Sequence, residues 1–431
     1  MTLFLVNRYF YPDETATSRM CASLAFGLAA RGVAVHVVTG RRRHDGGTAL
    51  PRSETVRNVT VTRVGASWFG RSGIAGRAAD QFGFHAAAAA ALLRLARRGD
   101  CIVACTDPPL LSVTAAAAAA AKGAILATWL HDLYPETAAL LGVLREDGAA
   151  MRALLRARDA SLGAARRNVA PIGRMAEALA DRGVPRESLA VISHWSEGEA
   201  IRPVPPERNR LRSDWGLEDK VVVGYSGNMG RAHEFGTILD AAAKLSGRAD
   251  IVFLFIGAGH RRMWIEREVA RRGLRNVVMK PLQPRALVGE SLSVPDIHLA
   301  CLIPTLETCI IPSKLYGILA AGRPALFIGD TTGESARILS EGACGASVGI
   351  GDSAGLAGLI LRYADAPAER LAAGARARTL FEERFTEAVG IAAWERLLAD
   401  MGLRGWRAAG AAGDATNGAN ADADDAAGVS A

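Results

Sequence analysis

The sequence predicts an α/β protein of two βα lobes facing one cleft, and three observations lead there. Short β-rich runs alternate with longer alanine-rich helical segments along almost the whole chain, the pattern of parallel sheets covered by helices on both faces. The alternation breaks once, at a polar stretch with several prolines, and then restarts. With 431 residues, 50% of them hydrophobic and 22% charged, the chain is too long for one small domain and too apolar for disorder.

In the first lobe, residues 1–200, strands are expected at 3–7, 33–39, 59–64, 101–106, 125–130, 169–172 and 189–193. The helix over 16–31 is bounded by Thr15 as N-cap and Gly32 as stop. The weakly charged stretch Leu110 to Leu130 reads as a helix followed by a buried strand. Its alanines are too weakly apolar for a membrane span, and Lys122-Gly123 interrupts it. Residues 201–220, with Pro203, Pro205 and Pro206, form the expected linker. The second lobe, 221–385, has strands at 221–225, 251–256, 276–279, 297–302, 325–328 and 346–349. A final helix over 386–402, carrying Trp394, is expected to pack back toward the first lobe. Residues 403–431, rich in Ala, Gly, Asp and Asn, lack the apolar bulk to fold and read as a disordered tail.

The net charge is +7, and only five of the 51 basic residues are lysine. A moderate positive balance spread along the chain suits phosphorylated small molecules or an anionic membrane surface and selects neither. No aromatic platform interleaves the arginines, so nucleic acid is not an expected partner. The six cysteines lack metal-ligand spacing and read as buried thiols. Met1-Thr-Leu-Phe-Leu-Val-Asn opens directly into a strand without an export signal, so a cytoplasmic location is expected.

Two lobes of this kind place ligands at the carboxyl ends of their parallel strands. Two loops there carry chemistry. Val223-Gly-Tyr-Ser-Gly-Asn-Met-Gly-Arg231-Ala-His233-Glu234 runs from a strand into a glycine-rich turn before a helix. Its glycines permit close backbone approach, and the N–H groups of the following helix would face an anion. Any tight βα turn is built the same way. In Pro304-Thr-Leu-Glu307-Thr-Cys-Ile-Ile-Pro312-Ser-Lys314-Leu-Tyr-Gly317-Ile-Leu-Ala-Ala-Gly322-Arg323-Pro324, a carboxylate-bearing loop leads into a helix that starts at Ser313-Lys314. The same pattern fits an ordinary capped helix.

These blocks, with Tyr9-Phe-Tyr-Pro-Asp-Glu-Thr15, Thr106-Asp-Pro-Pro109, His131-Asp-Leu-Tyr-Pro-Glu136, Pro171-Ile-Gly-Arg-Met175, Ile192-Ser-His-Trp195, Phe255-Ile-Gly-Ala-Gly259 and Ile328-Gly-Asp-Thr-Thr-Gly-Glu334, stand in the order of a known family. From Leu3 to Met401 the chain resembles bacterial family 4 glycosyltransferases of the GT-B fold, especially the branch with colanic-acid, O-antigen and L-fucosamine enzymes. The resemblance implies two Rossmann-like lobes and transfer of a sugar from a UDP- or GDP-sugar with retention of configuration. Neither a metal nor a cofactor is implied. Gly227, Asn228, Gly230, Arg231, Gly257, Ser313 and Lys314 would hold the donor, and Glu307, His131 and Arg231 would serve the chemistry. Asp13, Glu14, Thr15 and Asp132 would line the acceptor side.

The family's second glutamate, which normally binds the ribose, falls at Gly317, which makes Glu334 the candidate for that contact. Trp68, Phe69, Arg71, Arg77, Arg94, Arg97 and Arg98, with Arg41 to His44, suit a protein resting on the anionic cytoplasmic face of the inner membrane to reach a lipid-linked saccharide acceptor. A solvated loop and a helix with a core-facing apolar side fit the same residues. A nucleotide-sugar-binding subunit without transfer activity and a nucleotide-sugar epimerase are the alternatives on this fold.

Overall fold

The computed structural model describes residues 1–65, 73–196, 198 and 200–403 of the chain. The expected tail beyond residue 403, the Trp68–Arg71 segment and the side chain of Arg77 lie outside the described residues. Eight strands form the first sheet: β1 (Leu3–Val6), β2 (Val35–Gly40), β3 (Ser53–Val56), β4 (Val59–Val64), β5 (Cys101–Ala104), β6 (Ile125–Trp129), β7 (Arg167–Ala170) and β8 (Leu189–Val191). Their order is β3-β4-β2-β1-β5-β6-β7-β8, parallel except where β3 meets β4. Six parallel strands form the second: β9 (Val221–Ser226), β10 (Ile251–Ile256), β11 (Val277–Lys280), β12 (Ile297–Cys301), β13 (Ala325–Ile328) and β14 (Gly345–Val348), in the order β11-β10-β9-β12-β13-β14.

Central strands such as Ile-Val-Phe-Leu-Phe-Ile in β10 are apolar on both faces because helices cover both sides of each sheet. Strand order reverses between β1 and β5 in the first sheet and between β9 and β12 in the second. Connections leave such a point in opposite directions and open a crevice at the strands' carboxyl ends. The two crevices face each other. The Leu133 N–H, just after β6, donates to the Cys309 carbonyl beyond β12 at 2.9 Å. Arg174, at the start of helix Gly173–Asp181, reaches Asp330 beyond β13 at 2.7 Å.

Helix Glu387–Asp400 begins at Thr386, whose hydroxyl accepts the Val389 N–H, and crosses to the first lobe. There Trp394 is fully buried with its ring 5.1 Å from that of Trp129. Gly27 makes the crossing possible, since a Cβ at that position would overlap the Ile391 side chain.

The structure differs from the sequence expectation in two places. Strand β3 joins β4 through Arg57 and Asn58, both at positive φ (49° and 64°), a two-residue hairpin without the glycine that usually announces one. The linker is also shorter than 201–220. Pro206–Arg208 and Arg210–Asp214 are helical turns, and Leu211 and Leu217 pack on Val222, Leu254 and Val294 of the second lobe. Prolines and charges around those two leucines hide the apolar signal. Helix Leu111–Lys122 and β6 occupy the stretch that invited a membrane reading, and no described helix is long and apolar enough to cross a membrane.

Candidate active site

At the second sheet's switch point the loops after β9 and β10 are stitched together. The Gly227 N–H donates to the Ile256 carbonyl at 2.9 Å, and the Met229 N–H donates to that of Ala258 at 2.8 Å. Gly227 and Gly257 adopt φ of +118° and +143°, and a Cβ on Gly257 would overlap the Gly227 carbonyl, so only glycine permits this approach. Beneath them Tyr225 donates its hydroxyl to the Asn228 carbonyl at 2.8 Å. The Lys314 ammonium sits over the Tyr225 ring, 3.6 Å from its centroid, and donates to the same hydroxyl. Burial pulls Lys314 down to about 8. His233, held by the Cys301 carbonyl at 2.7 Å, is pushed down to about 3 by burial and then by Lys314, so it stays neutral. Asn228, Arg231 and Ser313 are exposed, and Arg231 has no ion-pair partner among the described residues.

One expectation is corrected here. The helix after this turn, Gly236–Lys244, does not offer its first N–H groups to a ligand, because the Glu234 carboxylate accepts those of Gly236 and Thr237. The chain supplies its own anion at that terminus. What the turn does present is the close approach of its backbone at Gly227 and Gly257, with Lys314 over Tyr225 and the exposed Arg231 as its cations.

Glu307 follows β12 in a tight turn and is 3% exposed. Its carboxylate accepts the backbone N–H groups of Glu334 and Ser335 at the start of helix Glu334–Glu341. Burial raises it to about 7, against the pull of those two bonds; Asp330 pushes the same way as burial, and Arg174 opposes. Glu334, the residue expected to reach a ribose, stands beside Glu307, and Arg337 donates to its carboxylate. A Cβ at Gly317 would point at Leu292, with Cδ1 at 3.3 Å.

On the first lobe, His131 is buried just after β6, with Nδ1 3.0 Å from Nε2 of His194. Asp132 bonds Thr106 within its own lobe, and burial raises its pKa. Asp13 accepts the Thr15 N–H at 2.9 Å and that of His44, fixing the first βα turn, while Glu14 is exposed and the Thr15 hydroxyl accepts the Ser18 N–H. Asp13 and Glu14 border a groove of about 1150 Å³ that runs along helix Ala16–Ala30 to the lobe junction, apart from the loops around Gly227 and Glu307.

A family model described as Glycosyltransferase Family 4 matches residues 17–195. A probable glycosyltransferase of Pseudomonas aeruginosa, WbjE, is 31% identical over 304 residues, 69% of this chain and 73% of that protein. The chain belongs to glycosyltransferase family 4. The putative colanic acid biosynthesis glycosyl transferase WcaI of Escherichia coli is 32% identical over 117 residues, 27% of this chain and only 28% of that protein's length. Among solved structures, Anabaena Alr3699/HepE in complex with UDP-glucose superposes with a TM-score of 0.70 over 93% of this chain and 100% of that one, at 16% identity, a likeness of fold. The fold is GT-B.

In this family 4 chain the structure gathers Gly227, Gly257, Lys314 and Tyr225 on one side of the crevice, and Glu307, Glu334, Arg174 and Asp330 on another. His131 faces the second lobe through His194 and Tyr316, whose ring centroids are 6.4 Å apart. Arg174, His194, Tyr225 and Tyr316 all lie in the resembling blocks, yet only contact between strands and lobes shows their place.

Proposed function

We propose that this chain transfers a hexosyl or acetamidohexosyl group from a UDP- or GDP-sugar, with retention and without a required metal, to a lipid-linked saccharide in cell-envelope polysaccharide, O-antigen or exopolysaccharide synthesis. One observation carries the reading. Of the sixteen buried side-chain polar atoms without a partner among the described residues, five belong to residues on strand ends or on the segments that follow them: Nε2 of His131, Oγ of Ser226, Oε2 of Glu307, the Tyr316 hydroxyl and Oγ of Ser335. Each such atom costs about 1–3 kcal/mol unless something bonds it, and a sugar's hydroxyls are donors and acceptors of the right kind.

In this reading Lys314 and Arg231 draw the diphosphate and stabilise it as it departs. Glu307, held by two backbone N–H groups, accepts donor-sugar hydroxyls through its free oxygen. The bond from the anomeric carbon to phosphate oxygen breaks and one to the acceptor oxygen forms on the same face. The departing phosphate takes the acceptor's proton, and His131 orients the transferred sugar. WcaI is named for colanic acid biosynthesis and HepE has been seen with UDP-glucose, which favours a nucleotide-sugar donor and a polysaccharide product.

The chain works as a peripheral protein at the cytoplasmic face of the inner membrane. Phe82 and Leu93, 75% and 45% exposed on helix Gly73–Leu95, lead to exposed Arg94, Arg97 and Arg98, a surface suited to anionic lipid.

The test is a panel of nucleotide-sugars incubated with the protein and membrane extract. Label should enter lipid with release of nucleoside diphosphate, NMR of the product should show the donor's anomeric configuration, and EDTA should leave the rate unchanged. Donor binding without release beside a competent acceptor would instead indicate a binding subunit.

A further inference from the structure

The His131 ring is bonded at one nitrogen and bare at the other. Its Nδ1 lies 3.0 Å from Nε2 of His194, with the rings 5.0 Å apart, while its own Nε2 is buried without a partner among the described residues. His194 follows β8, close to where the chain leaves the first lobe, and is 6% exposed. Its ring meets that of Tyr316 edge-on, at 6.4 Å and 68°. Tyr316 belongs to helix Lys314–Ala320 of the second lobe and is itself fully buried.

Two imidazoles at this distance share one hydrogen bond, in which one nitrogen donates and the other accepts. Burial lowers His194 to about 4 and His131 well below its ordinary range, so both rings are neutral near pH 7. The bond ties the two tautomers together: where His131 Nδ1 donates, its Nε2 carries a lone pair, and where Nδ1 accepts, its Nε2 carries the proton.

We propose that His194 is a positioning residue for sugar transfer: it sets the tautomer and aim of His131 Nε2, and its contact with Tyr316 makes that setting depend on the second lobe being seated against the first. The inference rests on the reading of His131 as facing the transferred sugar. A substrate hydroxyl would meet a nitrogen whose bonding role is already chosen, which lowers the reorganisation needed at the moment of transfer.

The experiment uses the full chain labelled with 15N-histidine, with His131→Phe to assign that ring. Wild type should show two well-separated His131 ring shifts, the signature of one tautomer. His194→Phe keeps a flat ring against Tyr316 and removes the nitrogen. Its His131 shifts should converge toward a tautomeric average, and kcat should fall about 10²-fold at nearly unchanged donor Kd, the scale for a misplaced reacting group. His194→Gln, whose amide reaches the position of Nε2, should restore most of both. A His194→Phe protein of wild-type melting temperature that keeps a single His131 tautomer, or keeps its kcat, overturns the proposal. So does a His194→Gln protein no better than His194→Phe. If wild type transfers no sugar from any donor, the transferase reading fails, while the NMR comparison still decides the role of His194.

Discussion

The Lys314 ammonium rests on the face of the Tyr225 ring, 3.6 Å from its centroid, and donates to the hydroxyl of the same residue. The ring face compensates part of the cost of burying a cation, and the remainder appears as a lowered pKa, about 8. Glu307 sits on the other side of that balance, raised by burial to about 7.

Transfer should therefore depend on pH from both sides. Below about 7 Glu307 takes up a proton and loses acceptor capacity. Above about 8 Lys314 loses the proton that makes it a phosphate partner. The profile of kcat/KM, which reports the free enzyme, should be a bell between those limbs. Lys314→Met should lower the rate and abolish the alkaline limb, and Glu307→Gln should do the same on the acid side.

The pair Arg174 and Asp330 spans the lobes at 2.7 Å and acts on Glu307 with opposite signs. Arg174 lowers the Glu307 pKa, so Arg174→Met should move the acid limb to higher pH. Asp330 raises it, so Asp330→Asn should move the limb to lower pH. Shifts of both variants in one direction would contradict this electrostatic role.

Gly317 stands where the family carries its second glutamate, but a Cβ there meets Leu292 Cδ1 at 3.3 Å and the residue is buried. Gly317→Glu should lower the melting temperature and leave donor Kd no tighter, because a carboxylate would be forced into apolar surroundings. Gly317→Ala, which needs only a small movement of Leu292, should be tolerated. Calorimetric melting and donor titration read both outcomes.

Trp394 ties the last helix to the first lobe, fully buried against Trp129. Trp394→Ala should cost about 3–5 kcal/mol in denaturant unfolding, the range for removing a large aromatic from a packed core.

The second sheet is legible in the sequence because its strands are continuous apolar runs, Ile251–Ile256 most clearly. The β3–β4 hairpin is not, because Val56-Arg57-Asn58-Val59 places two non-glycine residues at positive φ. The occupied terminus of helix Gly236–Lys244 also escapes a motif reading, since Glu234 looks like one more polar residue until its carboxylate is seen accepting the Gly236 and Thr237 N–H groups. Glu307 and Lys314 stand out as charged groups after the end of β12, one closing a turn and the other opening a helix. Arg174, His194 and Tyr316 acquire meaning only where one lobe touches the other, and no local periodicity encodes that contact.

The most direct measurement compares wild type with Glu307→Gln and Arg231→Ala, reading nucleoside diphosphate release and label in lipid beside donor Kd. Wild type should turn over with a competent donor and acceptor. Glu307→Gln should lose transfer by about 10²-fold or more, the scale of a lost transition-state contact, while still folding, and Arg231→Ala should lose both donor affinity and rate. Wild-type rates in both variants, or no release by wild type with donor bound and acceptor present, would contradict a transferase site built on Glu307 and Arg231.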